Sequence, residues 1–198
     1  MILQKLKKNA SNFLGTEVKD AVIAVPNYFN EDQLDEIRNT AEISGLNILR
    51  FIKSSTGALL AYGFDRIKYE RNILIFDLGG AILNIGLGTY EDGLLEERSV
   101  YSSFYLGGED FNYRLFDYCV KEFQRKTGID IKKNDKAKSR LFNSCENAKK
   151  DLSFSTSTSI DLESLIDGKD FNITITRNKF EDLFKIYLIN VFLQLRWL

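Results

Sequence analysis

Histidine is absent from the 198 residues, and only two cysteines and one proline occur. Without histidine there is no Ser-His or Cys-His nucleophile pair, and Cys119 and Cys145 by themselves argue against zinc or haem ligation. Two isolated cysteines point to reduced thiols and a cytoplasmic location. An excess of charge of one sign is also missing: 27 Lys and Arg face 28 Asp and Glu, interspersed along the chain. No nucleic-acid or anionic-membrane partner is expected from that balance. No membrane span is expected either. Residues 1–15 (MILQKLKKNASNFLG) lack the unbroken apolar stretch of a signal peptide. Residues 186–198 carry Asn190, Gln194 and Arg196 and fall short of the roughly 20 apolar residues that a bilayer requires. What is present is ordinary globular material, 44% apolar and 28% charged, enough for one core or two small lobes.

Patterning along the chain alternates strand and helix, an α/β class. Ile2, Leu3, Leu6, Phe13 and Leu14 fall roughly on one face of an N-terminal helix. Residues 20–25 (DAVIAV), ending at Pro26, read as a buried strand. Asp32 is the expected cap of a helix that Gly45 ends, Asn47–Ile52 a second strand, and Thr56–Tyr62 a short helix closed by Gly63. The run Asn72–Leu78 (NILIFDL) reads as a central strand buried on both faces. Turns at Gly79-Gly80 and Glu91-Asp92-Gly93 then make a three-stranded meander reaching about Tyr101. Helices follow over about Glu109–Lys126 and Asn134–Leu152, the second with a core stripe of Ala137, Leu141, Cys145, Ala148 and Leu152. Strands at Ser157–Leu162 and Asp170–Ile175 precede a last helix capped by Thr176. Tyr62, Phe76 and Phe104 are expected in the core rather than as stacking platforms.

Three short constellations have chemical content. Asp77-Leu78-Gly79-Gly80 ends a strand: glycines allow close backbone approach to an anion, and a carboxylate at a strand tip can hold a hydrated cation. A plain turn with a solvated aspartate accounts for so short a pattern as well. Gly107-Gly108-Glu109-Asp110 opens a helix, where free N–H groups suit phosphate, yet the two acids equally suit the positive helix end. Glu146, Lys149, Lys150 and Ser153 share one helix face, fit for a ribose and a base edge, or for a solvated Glu-Lys pair.

These constellations occur in one order within longer words: AVIAVPNYFNEDQ, SGLNILRFI, AYGFDRIKYERNILIFDLGG, LGGEDFNYRL, SCENAKKDLS and ITRNKFEDLF. From residue 1 to about 184 the chain resembles the ATPase domain of the heat-shock protein 70 (DnaK-type) chaperones. The resemblance implies a partial actin-like (ribonuclease-H-like) fold, with incomplete sheets and one complete small α/β subdomain. It implies a layout of a partial first-lobe core over 1–67, a partial second-lobe core over 68–106, a small second-lobe subdomain over 107–184, and an unmatched apolar tail over 185–198. The implied ligand is ATP or ADP with magnesium, Asp77 standing near the metal. Gly79, Gly80, Gly107 and Gly108 would lie by the phosphates, and Glu146, Lys149, Lys150 and Ser153 by the adenosine. Implied partners are nucleotide exchange factors and other co-chaperones.

Departures from the family pattern fall on the chemistry. The phosphate loop, usually continuing Gly-Thr-Phe-Asp, reads Ala81-Ile82-Leu83-Asn84. A Glu-Pro-Thr segment reads Ser54-Ser55-Thr56, a Gly-Asp-Thr-His segment reads Ser102-Ser103-Phe104-Tyr105, and Lys150 replaces an arginine that stacks on adenine. The family's first phosphate loop and its last adenosine loop have no counterpart. The expectation is a truncated relative of an ATP-dependent folding chaperone, stress response included, that no longer turns over ATP. The alternatives are a non-catalytic co-chaperone-binding module and a gene fragment without function.

Overall fold

The structure is a computed structural model describing residues 1–63, 69–91 and 94–195. Helix α1 spans Ile2–Leu14, strand β1 Asp20–Val25, helix α2 Glu31–Ile43, strand β2 Asn47–Lys53 and helix α3 Ser54–Ala61. Strands β3 (Arg71–Leu78), β4 (Leu83–Glu91) and β5 (Leu94–Ser103) follow. Next come helices α4 (Gly108–Thr127) and α5 (Asp135–Asp151), strands β6 (Ser157–Ile166) and β7 (Lys169–Thr176), and helix α6 (Arg177–Leu195). Asp92 and Gly93 of the expected turn, the expected boundary at 67/68, and residues 196–198 lie outside the described residues. The sheets are small: β1 with β2, the meander β3-β4-β5, and β6 with β7. The chain divides into two compact units, residues 1–76 with 85–102, and residues 77–84 with 103 onward.

In the first unit β1 and β2 run parallel, and α2 supplies the crossover that parallel neighbours need. The cap of α2 is Asn30, not Asp32. The Asn30 side-chain oxygen accepts from the Gln33 N–H at 2.9 Å, and the Gln33 side-chain oxygen accepts from the Asn30 N–H at 3.0 Å. This reciprocal pair satisfies two donors at once, while Asp32 sits in the first turn beside the positive helix end. Helix α1 buries no side chain. It is tied by polar contacts, the Lys7 ammonium donating to the Gly45 carbonyl at 2.9 Å and pairing with Glu17 at 3.2 Å.

Two strands expected to be buried are not. In β1 only Val25 is buried. On β3, Leu74, Phe76 and Leu78 are 54%, 47% and 42% exposed. A continuous apolar run marks a doubly covered strand only where other elements pack on both faces of the sheet, and β3, an outer strand of a three-stranded sheet, lacks that cover among the described residues. The buried strand of the meander is β4, where Leu83 and Ile85 are fully covered. Phe76, Tyr62 and Phe104, expected in the core, are likewise exposed.

The second unit has a continuous core. Leu115, Cys119 and Phe123 from α4 meet Leu141, Cys145 and Ala148 from α5 and Ile160, Phe171 and Ile175 from β6 and β7. The stripe expected on α5 is buried from Ala137 through Leu152, the i, i+4 pattern of a helix with one apolar face. Along β7, Phe171, Ile173 and Ile175 alternate inward with exposed neighbours. The Phe123 and Phe171 rings meet edge to face at 5.6 Å. Thr176 caps α6 as expected, accepting from the Lys179 N–H at 3.2 Å.

Candidate functional site

All the residues singled out from the sequence as nucleotide ligands belong to the second unit. Asp77 is the penultimate residue of β3 and is exposed. The chain then turns, the Gly79 N–H donating to the Ile82 carbonyl at 2.9 Å. This loop is fastened to the start of α4: the Gly108 N–H donates to the Gly79 carbonyl at 2.9 Å and the Glu109 N–H to the Gly80 carbonyl at 2.7 Å. A Cβ on Gly107 would stand 2.4 Å from the Gly80 oxygen and 2.6 Å from the Ala81 backbone. Glycine at 107 therefore permits two backbones to touch.

The sequence left open whether the N–H groups at this helix start face an anion. In the structure, those of Gly108 and Glu109 are spent on loop carbonyls, and the Gly107 N–H donates to the Asp110 carboxylate at 2.8 Å. A helix start offers an anion only the donors that are left unpaired. Here glycine closeness and acidic capping account for the motif.

Helix α5 presents the second group. The Lys150 ammonium lies 2.9 Å from the Glu146 carboxylate, one turn away. The hydrogen bond from Lys150 holds the Glu146 carboxyl below its ordinary range, with Lys149 adding a smaller pull. Lys149 points elsewhere, donating to the Gly108 carbonyl at 3.0 Å. Lys149 and Ser153 line a cleft of about 260 Å³ together with Phe111, Leu152, Arg177, Phe180 and Glu181. That is just under the roughly 300–1,000 Å³ common for small-molecule sites. The Phe111 and Phe180 rings stack at 6.4 Å on its apolar side. The expected four-residue face is thus split: Lys149 and Ser153 border the cleft, while Glu146 and Lys150 pair alongside.

Sequence reasoning missed Phe111, Arg177, Phe180 and Glu181 as cleft residues. Arg177 donates to the carbonyls of Leu152 at 2.9 Å and Ser155 at 2.8 Å, contacts more than twenty positions away that no local pattern announces. A larger groove of about 430 Å³ runs along α4 and α6, with Asp110, Arg114, Asp117, Lys121 and Tyr187 among its walls. None of the sequence-selected residues borders it. In the first unit, Ser55 is buried and its hydroxyl donates to the Asn27 side-chain oxygen at 3.1 Å, which the Ser54 hydroxyl also reaches at 3.5 Å, so the Ser54-Ser55-Thr56 segment is neutral and both serines are tied to Asn27.

The donor set bears on a nucleotide with its metal. An aromatic-walled cleft with an ammonium, a hydroxyl and a carboxylate suits a nucleoside. The phosphate side fits poorly. Asp77 is the sole carboxylate among residues 77–84, and among the described residues no three carboxylate, cysteine or histidine side chains converge on one point. Among the described residues, no helix is long and apolar enough to cross a membrane.

A family profile described as "Hsp70 protein" matches residues 1–196, past the point where the quoted words end. The chain is 47% identical over 184 residues to a heat shock 70 kDa protein of Neurospora crassa, covering 92% of this chain and 28% of that protein. It is 45% identical over 184 residues to a heat shock 70 kDa protein of Emericella nidulans, covering 92% and 29%. It is also 45% identical over 184 residues to heat shock 70 kDa protein 2 of Paracoccidioides lutzii, covering 92% and 28%. The chain thus spans less than a third of the length of these curated relatives. The match carries with it the actin-like fold of the family's ATPase domain, in keeping with the mixed α/β elements, and this chain belongs to the Hsp70 family.

Proposed function

We propose that this segment keeps a nucleoside-facing cleft of an Hsp70-type ATPase domain while its phosphate side does not support ATP turnover. The family binds nucleotide and drives protein folding with it; for this segment only the nucleoside-facing part is proposed. The observation that carries the reading is the loop after Asp77. Its side chains at 81–84 are Ala, Ile, Leu and Asn, neutral throughout. Phosphoryl transfer depends on placing charge and donors around the transferred group, and this loop supplies no side-chain charge beyond Asp77. Ser54, where the family pattern has a glutamate, adds no carboxylate. Asp77, Gly79, Gly80, Gly107 and Gly108 are proposed as what remains of the phosphate side, and Glu146, Lys149, Lys150 and Ser153 as the adenosine side.

Purified protein is expected to show no magnesium-dependent ATP hydrolysis above background. Calorimetric titration with ADP is expected to give weak binding that magnesium leaves unchanged. Hydrolysis that requires magnesium and disappears in Asp77→Asn would overturn the reading.

A second reading is a co-chaperone-binding lobe, supported by the continuous core of the second unit. It treats 107–184 as a small subdomain, beside partial cores over 1–67 and 68–106 and a tail over 185–198, and its partner class is a nucleotide exchange factor. A folded, cooperatively melting chain that gives no heat with such a factor rules it out. A cytoplasmic location is proposed from the two buried, unpaired cysteines.

A further inference from the structure

Lys149 joins two features that are otherwise separate in the chain. Its ammonium borders the cleft and also donates to the Gly108 carbonyl at 3.0 Å. Gly108 in turn donates to the Gly79 carbonyl at 2.9 Å, and its neighbour Glu109 to the Gly80 carbonyl at 2.7 Å. One cation, one helix start and one loop therefore form a continuous chain of hydrogen bonds leading toward Asp77. An ammonium has three donors. Holding Gly108 uses one and leaves others for a hydroxyl oxygen of a ligand in the cleft, so the two bonds do not compete.

We propose that Lys149 is a positioning residue, a latch that holds the Gly79-Gly80 loop through Gly108, and that occupancy of the cleft by a nucleoside tightens this latch. The latch stands on the hydrogen bonds alone; the coupling rests on the nucleoside reading above. Lysine gives up considerable side-chain freedom when fixed. A ligand that has already ordered Lys149 lowers the cost of holding Gly108, and linkage requires that an ordered loop favour the ligand equally. The substitutions at Ala81 and Ile82 lie in the loop so held, which makes loop order, rather than phosphate contact, the property that this contact governs.

Amide hydrogen exchange of the full chain tests both parts, read at Gly108 and Glu109. The Gly128 N–H, which donates to the Gln124 carbonyl at the far end of α4, serves as the internal control. Without ligand, Lys149→Met is expected to speed exchange at Gly108 and Glu109 by about tenfold, the scale of one hydrogen bond from a charged donor, with Gly128 unchanged and Lys149→Arg restoring most of the protection. Equal rates in Lys149→Met and the natural chain overturn the latch. A parallel rise at Gly128 assigns the effect to general loosening and overturns it too. With adenosine added to the natural chain at concentrations that calorimetry shows to be saturating, exchange at Gly108 and Glu109 is expected to slow further. Saturation without any slowing overturns the coupling and leaves the nucleoside reading intact; no adenosine binding at all overturns that reading and the coupling with it, while the ligand-free comparison still decides the latch.

Discussion

Gly107 meets Gly80 backbone to backbone, with no room between them for a single methyl group: a Cβ at 107 would stand 2.4 Å from the Gly80 carbonyl oxygen. The obstacle is main chain and has no flexible end to move aside. The φ of Gly107 is −158°, open to any residue, so the conflict is collision and not backbone strain. Gly107→Ala is expected to destabilise the second unit by about 2–3 kcal/mol, the upper part of the range of roughly 1–3 kcal/mol for forced overpacking, because the obstacle is backbone. Gly128→Ala is the reference. That glycine has a φ of +75° and nothing within 4 Å of an added Cβ, so left-handed backbone alone sets a cost of about 1 kcal/mol. Urea unfolding of the two variants gives the order, and a smaller loss at Gly107 than at Gly128 would mean that the loop does not sit against α4.

At α2 the observed cap and the expected one can be told apart. Removing Asn30 breaks the pair of bonds with Gln33, so Asn30→Ala is expected to cost about 1 kcal/mol. Asp32→Ala loses only a charge near an exposed helix start, about 0.3–0.5 kcal/mol. Thermal melts of the two variants at equal ionic strength check the order.

Acid titrates the α5 face. Because Lys150 holds the Glu146 carboxyl down in the folded chain, the pair contributes above the ordinary carboxylate value, and its contribution is lost as pH falls through the lowered one. Lys150→Met is expected to raise the Glu146 midpoint toward that of an ordinary glutamate, as followed by carboxyl-carbon NMR. Both side chains are accessible to solvent, so the variant's stability is expected to change little. A midpoint unmoved by the substitution would show that the pair is not formed in solution.

The two thiols report on the core. Cys119 and Cys145 are both fully buried in the second unit. A contact with the Cys119 thiol, together with burial, pushes the Cys145 thiol well above its ordinary range, so that it stays protonated. Neither cysteine is expected to react with iodoacetamide at neutral pH in the folded chain, and both are expected to react at once in guanidinium. A free thiol labelled under native conditions, counted by mass spectrometry, would place the α4–α5 interface in a looser state than described.

Much of the second unit was legible because its signals are local. The α5 stripe repeats at helical spacing, the β7 residues alternate, and Thr176 sits one residue before the helix it caps. Legibility failed where burial depends on what lies beside an element. Asn72–Leu78 has the composition of a doubly covered strand, yet β3 is an outer strand with exposed leucines. The cap of α2 is a different case: Asp32 and Asn30 are both good caps by residue type, and the local Asn30-x-x-Gln33 spacing of a capping box was the readable signal that separates them. The glycine pair at 107–108 read as a potential anion site because a string of letters does not disclose that the Gly79 and Gly80 carbonyls occupy its donors.

What the amino-acid order alone determined here is family membership, the succession of elements, and the departures from the family pattern at positions 54 and 81–84. Residue identity and periodicity are properties of the chain itself and survive without knowledge of its neighbours in space. Only the tertiary structure decided which donors remain available, that Lys149 serves both the cleft and the Gly108 carbonyl, and that Glu146 and Lys150 face each other. The first two outcomes depend on hydrogen bonds between residues about 29 to 41 positions apart, whose distances arise only once the elements have packed. The Glu146–Lys150 pair, one turn apart on α5, is the alternative that helical spacing had already offered and the structure chose.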